Sequence, residues 1–348
     1  MGSAESTSPL IISLDAMGGD NGADVVIPAA LHALDRHPEL SLILVGDEEV
    51  IRQHLSDANR EPDNRLILQH ASQQVEMDDK PSHAMRMKKD SSMRVAINMV
   101  KEGRADACVS AGNTGALMAT SRFVLKMLPG VDRPAICAIL PTTKGFTHML
   151  DLGANVDASS DNLFEFAVMG SVLASAVDKI DAPTVGLLNI GEEEIKGNER
   201  IKEASRLLQE SGLNYIGYVE GDGVYLGKAK VVVCDGFNGN IALKTCEGVA
   251  KMISHKIKES FMQNILTKIC GLIALPVLNR FRKSIDPRRY NGASMLGLNG
   301  IVVKSHGGAD RLAFYTAIKQ AMLEIQNKVP ERISEQLETL LVTERNES

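Results

Sequence analysis

Short runs of apolar residues alternate along the chain with longer stretches in which apolar residues recur every three or four positions. The short runs are typical of buried β-strands, and the longer stretches are typical of amphipathic helices. Strands separated by helices predict an α/β fold with a mostly parallel sheet that is covered on both faces. The predicted strands are residues 10–14, 42–45, 66–70, 107–110, 135–140, 148–151, 184–189, 214–219, 231–234 and 300–304. The clearest predicted helices are residues 25–36, 91–102, 162–177 and 198–209.

The second half of the chain has longer helical patterns. Residues 241–285 are helical in pattern with an interruption at Pro276, which predicts a helical hairpin at about residues 250–290. Residues 310–341 predict further helix with a break at Pro330. Because no linker or repeat divides residues 10–341, we expect one α/β domain with two interleaved lobes. Residues 1–9 are expected to be a flexible N-terminal extension, and residues 342–348 a flexible tail.

Polar loops rich in glycine and asparagine follow most of the predicted strands. Glycine lets the backbone approach a ligand closely, and a following helix offers unpaired N–H groups to an anion. Since the carboxyl ends of parallel strands share one edge, we expect these loops to converge on one cleft. Any single loop is better explained as a plain turn, but seven such loops in one chain weaken that explanation. The loops are residues 15–20 (DAMGGD), 110–115 (SAGNTG), 151–155 (DLGAN), 189–198 (NIGEEEIKGN), 235–240 (DGFNGN), 290–294 (YNGAS) and 305–308 (SHGG).

Three further features carry charge or a titratable ring. The segment 80–93 combines Lys and Arg residues with serines, which suits either a phosphate group or a solvated helix end. Lys196 lies in a polar loop, where it forms a surface ion pair or stabilises developing negative charge. His306 stands beside two glycines and is either a general acid or base or a structural histidine.

Composition excludes several classes of protein. Apolar residues make up 44% and charged residues 24%, as in ordinary globular proteins. A net charge of −6, 4% aromatic residues and no Trp disfavour a nucleic-acid-binding protein. Five widely spaced cysteines predict a reduced, cytoplasmic protein. The signatures of dinucleotide-binding enzymes, P-loop NTPases, serine hydrolases and zinc proteases are absent, so no cofactor and no metal are predicted.

Charge is distributed unevenly along the chain. Residues 250–290 carry nine Lys or Arg residues and two acidic residues, which gives this segment a net charge of +7. Because the whole chain has a net charge of −6, the rest of the chain has a net charge of −13. Within this segment, residues 269–278 have no charge and are too few to span a bilayer. Such a hairpin is suited to lie on an anionic membrane surface. It is equally suited to pack as a pair of helices in the protein core or at a dimer interface. The residues predicted to contact a membrane are Leu272, Ile273, Leu275, Val277 and Leu278.

Taken together, the polar loops resemble the motifs of the bacterial phosphate acyltransferase family (PlsX type). The resemblance includes residues 196–198 (KGN) and 304–307 (KSHG), and it runs in order from Ile11 to Gln326. Members of this family convert acyl-acyl carrier protein and inorganic phosphate to acyl phosphate, which feeds glycerol-3-phosphate acylation in phospholipid synthesis. The resemblance implies a three-layer α/β/α fold like that of phosphate acetyltransferases and isocitrate dehydrogenases.

The resemblance also implies a homodimer and peripheral membrane attachment through a hairpin at roughly residues 261–283, close to the downstream glycerol-3-phosphate acyltransferase. It implicates Lys196 and Asn240 in activity, and we assign both to oxyanion stabilisation and His306 to protonation of the leaving thiolate. Asn238 stands where other forms of the motif have Thr, and its role stays open. The predicted phosphate- and substrate-binding residues are Asp15, Gly18, Gly19, Lys88, Lys89, Ser110, Asn113, Thr114, Asn155, Asn198 and Asp235. The predicted docking residues for the acidic carrier protein are Arg280, Arg282, Arg288 and Arg289.

Three alternatives remain open at the level of sequence. One is a phosphate acetyltransferase-like enzyme that uses acyl-coenzyme A, and another is a metal- and NAD-dependent decarboxylating dehydrogenase of the same fold. The third is a non-catalytic membrane scaffold for lipid enzymes.

Overall fold

The structure, a computed structural model, describes residues 9–284 and 286–347. Its strands are β1 Leu10–Asp15, β2 Leu40–Gly46, β3 Leu66–His70, β4 Ala107–Ser110, β5 Ala135–Thr142, β6 Gly145–Leu150, β7 Val185–Leu188, β8 Tyr215–Val219, β9 Val231–Val233, β10 Ala293–Leu296 and β11 Ile301–Lys304. Its helices are α1 Ala23–Arg36, α2 Glu48–Asp57, α3 Pro81–Met87, α4 Ser92–Lys101, α5 Thr114–Leu125, α6 Ser160–Asp178, α7 Glu199–Glu210, α8 Gly221–Leu226, α9 Gly236–Met262, α10 Ile265–Ser284, α11 Arg311–Gln326 and α12 Val329–Glu347, with a 3₁₀ turn at Pro287–Tyr290.

The strands form one sheet in the order β3-β2-β1-β4-β11-β10-β5-β6-β9-β7-β8. Pairing is parallel among β3, β2, β1, β4 and β11 and again among β6, β9, β7 and β8. Between these halves lie three antiparallel pairings in succession, β11 with β10, β10 with β5 and β5 with β6. The mostly parallel sheet is therefore confirmed. The expectation that all the polar loops share one edge is wrong, because an odd number of reversals makes the two halves run in opposite directions.

Helices cover both faces of the sheet. On one face, α1, α2 and α11 pack over the first half, and α6, α7 and α12 pack over the second half. On the other face, α4, α5 and α8 share a single apolar core that spans both halves. This arrangement confirms the predicted three-layer α/β/α fold.

Most predicted elements correspond to observed ones, and two predictions need correction. Strand β10 was not predicted, although its residues are buried in the middle of the sheet. Pro276 does not interrupt the hairpin but lies inside α10. The chain reverses instead at Gln263 and Asn264, where Asn264 and Thr267 exchange backbone-to-side-chain hydrogen bonds of 2.9 and 3.1 Å. This reciprocal cap begins a new helix and explains the position of the turn.

The two ends of the chain differ in what the structure describes. Of the predicted N-terminal extension, residues 1–8 lie outside the described residues. At the other end, the predicted break near Pro330 is confirmed, because α11 ends at Gln326 and α12 begins at Val329. Helix α12 continues to Glu347, so residues 342–347 of the predicted tail are helical, and Ser348 lies outside the described residues.

Helices α9 and α10 form the predicted hairpin, and α10 packs chiefly against α9. Near the tip the two helices approach closely, because a Cβ on Gly271 would lie 3.0 Å from the Phe261 ring. Four of the five predicted membrane residues are exposed, and Leu278 is half-buried. No helix among the described residues is long and apolar enough to cross a bilayer.

Candidate active site

The loops that follow β1, β4 and β11 form one cluster, which we call the first loop cluster (residues 15–20, 110–114 and 305–308). The Ser110 hydroxyl donates to Oδ2 of Asp15 over 2.6 Å, and the Asp20 N–H donates to the Gly307 carbonyl over 2.9 Å. Asp15 is buried, and this burial raises the pKa of its carboxyl, while hydrogen bonds such as that from Ser110 oppose the shift. The three loops are therefore held together by a buried polar network.

Two predicted binding residues, Gly18 and Gly19, are needed for the packing of this cluster. A Cβ on Gly18 would lie 2.4 Å from Oδ2 of Asp15. Gly19 has a φ of +90°, and a Cβ there would also lie 2.8 Å from that of Ala111. Only glycine satisfies both the close approach and the positive φ.

Residues 72–90, which include α3, pack across the first loop cluster through Asn113. The Asn113 side chain caps α5 by accepting from the Ala116 N–H over 2.9 Å, and its amide donates to the carbonyls of Met77 and Asp79. Lys88 closes this segment by an ion pair with Asp79 over 2.5 Å, which lowers the pKa of Asp79. Both side chains thus have structural partners within the chain. Of the other predicted binding residues in this region, Lys89 and Thr114 are exposed.

Lys304 lies inside the first loop cluster and was not among the predicted site residues. It is the last residue of β11, is only 7% exposed, and donates from Nζ to the carbonyls of Ala111 and Ser305. Burial lowers its pKa to about 8, although Asp15 and Asp20 raise it. The sequence signal was a lysine at the end of an apolar strand, directly before a polar glycine loop.

The ring of His306 is exposed and partly fixed. Its Nδ1 accepts from the Gly308 N–H over 3.0 Å, and its own backbone N–H donates to the Asn291 side chain. An accepting Nδ1 places the proton of the neutral ring on Nε2. In this tautomer the ring's N–H donor is on the nitrogen that does not bond to Gly308.

The loops that follow β6, β7 and β9 form a second loop cluster (residues 151–155, 189–198 and 235–240). Buried Asp151 accepts from the backbone N–H groups of Ile136, Ala154 and Asn155 over 2.6–3.2 Å. The Asn155 amide donates to Asp151 and to the Pro134 carbonyl. Burial raises the pKa of Asp151, and these hydrogen bonds oppose that shift. Asn155 thus stabilises the loop with its side chain.

Two more predicted binding residues of this cluster cap helices. Asp235 begins α9 by accepting from the Asn238 N–H over 2.8 Å, and Asn198 begins α7 by accepting from the Ile201 N–H over 3.0 Å. The Asn238 amide also donates to Asp235 over 2.9 Å. Arg200 lies 3.4 Å from Asp235 and compensates its buried charge.

Asn240 and Lys196 are both exposed in this second loop cluster. Asn240 lies against Gly153, where a Cβ would be 3.6 Å from the Asn240 side chain. Its position is set by Gly239, because a Cβ there would lie 1.9 Å from the Asp151 carbonyl oxygen. The backbone of Lys196 is held by the Asn189 amide over 3.3 Å. Their side chains are therefore presented on a fixed backbone.

Helix α9 connects the two loop clusters. It begins in the second cluster, and Lys244, one turn after Asn240, is close enough to Lys304 to lower its pKa. The two loop clusters follow opposite edges of the sheet, and α9 runs from the second loop cluster toward the first. Among the described residues, no three His, Cys, Asp or Glu side chains are grouped in a way that would hold a metal ion.

The predicted docking residues for a carrier protein lie along and just after α10. Arg280, Arg282 and Arg289 are exposed. Arg288 forms ion pairs with Asp286 over 2.7 Å and with Asp310 over 2.8 Å, so its charge is largely compensated within the chain.

Comparison with known structures agrees with the fold. A phosphotransacetylase from Streptococcus pyogenes superposes with a TM-score of 0.62 at 19% identity, covering 91% of this chain and 94% of that one. A branched-chain phosphotransacylase from Enterococcus faecalis gives a TM-score of 0.55 at 13% identity, covering 91% and 99%. At these identities the likeness concerns the fold alone.

Comparison of sequences identifies the family. The profile of a family described as "Fatty acid synthesis protein" matches residues 10–332. The phosphate acyltransferase of Halorhodospira halophila is 60% identical over 336 residues, 96% of this chain and 98% of that protein. The phosphate acyltransferase of Nitrosococcus oceani is 61% identical over 330 residues, 95% and 97% of the two chains. The chain is therefore an enzyme that belongs to the bacterial phosphate acyltransferase family.

Proposed function

We propose that the chain transfers the acyl group of a long-chain acyl-acyl carrier protein to inorganic phosphate and releases acyl phosphate for glycerol-3-phosphate acylation. The observation that carries this proposal is the 60–61% identity, over nearly the whole chain, to proteins named phosphate acyltransferase. Because these relatives bear the name of an enzyme, the scaffold alternative loses its support. The coenzyme A alternative concerns the acyl donor and is left to the test.

The chemistry needs no nucleophilic side chain. An oxygen of hydrogen phosphate attacks the thioester carbonyl carbon, a C–O bond forms, and the C–S bond breaks. Hydrogen phosphate loses one proton and the leaving thiolate gains one, so the overall reaction is balanced. The enzyme's contribution is to position the two substrates and to stabilise the charge that develops on the carbonyl oxygen.

The proposed roles follow from the two loop clusters. Backbone N–H groups and side chains of the first loop cluster hold the phosphate, as glycine-rich loops before helices do for other anions. The exposed amide of Asn240 and ammonium of Lys196 donate to the carbonyl oxygen as it becomes an oxyanion. The Nε2–H of His306 assists protonation of the leaving thiolate by donating a hydrogen bond to its sulfur, and the proton that the thiolate gains is the one that hydrogen phosphate loses. Helix α9 begins in the second loop cluster, and its Lys244 is close enough to Lys304 of the first loop cluster to lower the pKa of Lys304.

The test is to trap the product. Purified protein is incubated with long-chain acyl-acyl carrier protein, phosphate and hydroxylamine, which converts acyl phosphate to an acyl hydroxamate. We expect hydroxamate above the rate of direct thioester cleavage by hydroxylamine only when both protein and phosphate are present, and more with the carrier-protein thioester than with acyl-coenzyme A. Preference for the coenzyme A donor would favour the phosphate acetyltransferase-like alternative. A protein-dependent increase in hydroxamate that does not require phosphate would contradict the proposal.

We also propose that the enzyme is cytoplasmic and attaches peripherally to anionic membranes through the hairpin. On α10, the apolar side chains of Leu272, Ile273 and Val277 are 67–75% exposed, and basic residues flank them. Apolar side chains and cations together favour an anionic lipid surface. The same exposed helices suit a homodimer, which analytical ultracentrifugation of the whole chain would test.

For the membrane, we expect replacement of Leu272, Ile273 and Leu275 by Asp to abolish sedimentation with anionic liposomes and to leave turnover of soluble acyl donor intact. A matched variant replaces three exposed apolar residues of the body by Asp: Val50, Ile216 and Leu226. It carries the same change in charge and should still sediment. Equal sedimentation of both variants would show that the hairpin does not bind the membrane.

A further inference from the structure

The side chain of Lys304 is unusual because its charged end is buried in the loop cluster that is proposed to hold phosphate. It is 7% exposed, and its ammonium donates to the Ala111 carbonyl over 3.1 Å and to the Ser305 carbonyl. An ammonium has three N–H donors. Among the residues that the structure describes, these two carbonyls are its hydrogen-bond acceptors, which leaves one donor for a ligand.

Two carboxylates lie near Lys304, so a phosphate bound at these loops needs a cation to offset their charge. Asp15 and Asp20 lie close enough to Lys304 to act on its pKa, and both carry negative charge toward the same loops. Without a compensating cation, these carboxylates would repel a phosphate dianion. A buried cation acts more strongly on a nearby anion than an exposed one, because water screens it less.

Two other cations near the first loop cluster are paired with carboxylates. Lys88 is paired with Asp79 over 2.5 Å. Lys244 of α9 is paired with Glu247 over 2.9 Å. Lys304, in contrast, donates only to neutral carbonyls among the described residues, and no carboxylate accepts a hydrogen bond from its ammonium.

We propose that Lys304 is the cation that binds phosphate in this enzyme, with its remaining N–H donating to a phosphate oxygen and its charge offsetting Asp15 and Asp20. The inference rests on the proposed function, since it assigns a residue to the phosphate site of that reaction. It adds a binding residue that was not among the predicted site residues, although Lys304 is the first residue of the motif at 304–307.

A pH dependence follows from the groups that face Lys304. Burial lowers its pKa to about 8, Asp15 and Asp20 oppose that shift, and Lys244 adds to it. Above this pH the free enzyme loses the ammonium. We therefore expect kcat/KM for phosphate to fall with an apparent pKa near 8. In Lys304→Arg, a guanidinium keeps its charge, so the alkaline fall should disappear.

The decisive experiment measures phosphate binding directly by calorimetry, and KM for phosphate and acyl donor separately. In Lys304→Met we expect phosphate affinity to fall about 10- to 100-fold, the range for a hydrogen bond to a charged group. The KM for the acyl donor should stay near the wild-type value. The matched control is Lys101→Met, which removes an exposed lysine at the end of α4 and should leave phosphate affinity unchanged.

Phosphate affinity of Lys304→Met equal to wild type would overturn the inference, as would failure of the wild type to bind phosphate. If the wild type binds phosphate through Lys304 but forms no acyl phosphate, the inference stands and the proposed function fails. If Lys304→Met does not fold, the pH profile decides. A wild-type profile without an alkaline fall near pH 8 would overturn the inference.

Discussion

The two loop clusters are built from similar glycine-rich sequences, yet the lysine of the first loop cluster is buried and that of the second is exposed. In the first loop cluster, Asp15, Ser110 and Lys304 are almost wholly buried. In the second, buried Asp151 and Asp235 are committed to backbone N–H groups, while Lys196 and Asn240 are exposed. A buried network suits a small anion held in one place, and exposed side chains on a fixed backbone suit a reacting group on a large incoming donor. The difference supports a division of labour between phosphate and acyl donor.

The largest expected effect comes from removing the exposed groups of the second loop cluster. Lys196→Ala and Asn240→Ala should each lower kcat by on the order of 100-fold, as loss of one oxyanion donor does in other enzymes. Because both side chains are exposed, the unfolding curve should not change. The comparison variant is Asn238→Ala, which removes a neighbouring amide that bonds to Asp235 and should affect turnover little. Near-wild-type turnover in Lys196→Ala and Asn240→Ala would end this assignment.

The next effect concerns the contact that fixes Asn240. Gly239→Ala would bring a Cβ to 1.9 Å from the Asp151 carbonyl oxygen, and the forced shift should cost about 1–3 kcal/mol of unfolding free energy. In the same helix, Gly248 has open space around it. Gly248→Ala should therefore stabilise the protein by about 0.5–1 kcal/mol. Thermal unfolding of both variants tests this pair, and equal shifts in one direction would refute the packing argument.

A third comparison sets one polar residue of each cluster side by side. Ser110→Ala removes a buried hydrogen bond to Asp15 and should cost about 1–3 kcal/mol. Asn198→Ala removes only the cap of α7 and should cost about 1 kcal/mol. Urea unfolding gives both values. A larger loss for Asn198→Ala would mean that the first loop cluster is not the more tightly bonded of the two.

A further effect is a pH dependence of stability in the region between the two halves of the sheet. Glu324 of α11 is buried against β10, where it accepts from Ser294 and Gln320, and burial raises its pKa to about 7. The folded state therefore retains a proton that the unfolded state releases above its ordinary pKa of 4.5. Stability should fall as pH rises from 4.5 to 7 and change no further above that interval.

Glu324→Gln removes this titration, so its stability relative to wild type should increase between pH 5 and pH 7 and then level off, as measured by urea unfolding at several pH values. The control is Glu338→Gln at an exposed position of α12. A difference between Glu324→Gln and wild type that does not vary with pH would contradict the assignment of the proton to Glu324.

Much of this protein was predictable from its sequence, because the relevant signals are local. Strand patterns located every strand except β10, and the polar loops after strands contain the capping residues Asn113, Asn198 and Asp235. Strand β10 escaped prediction because its four residues lie between glycine-containing turns and show no extended pattern. Its place in the sheet depends on pairing with β5, which is distant in sequence, and with β11, which follows it after a turn.

The sequence by itself determined the α/β architecture, the family and the residue types at the loops, since these depend on periodicity and on short motifs. Only the tertiary structure decided which loops lie together. Three antiparallel pairings in the middle of the sheet turn its second half around and divide the loops into two clusters. Likewise, only burial distinguishes Lys304 from the lysines predicted at the site. A buried charge interacts more strongly with a nearby anion, because less water screens it.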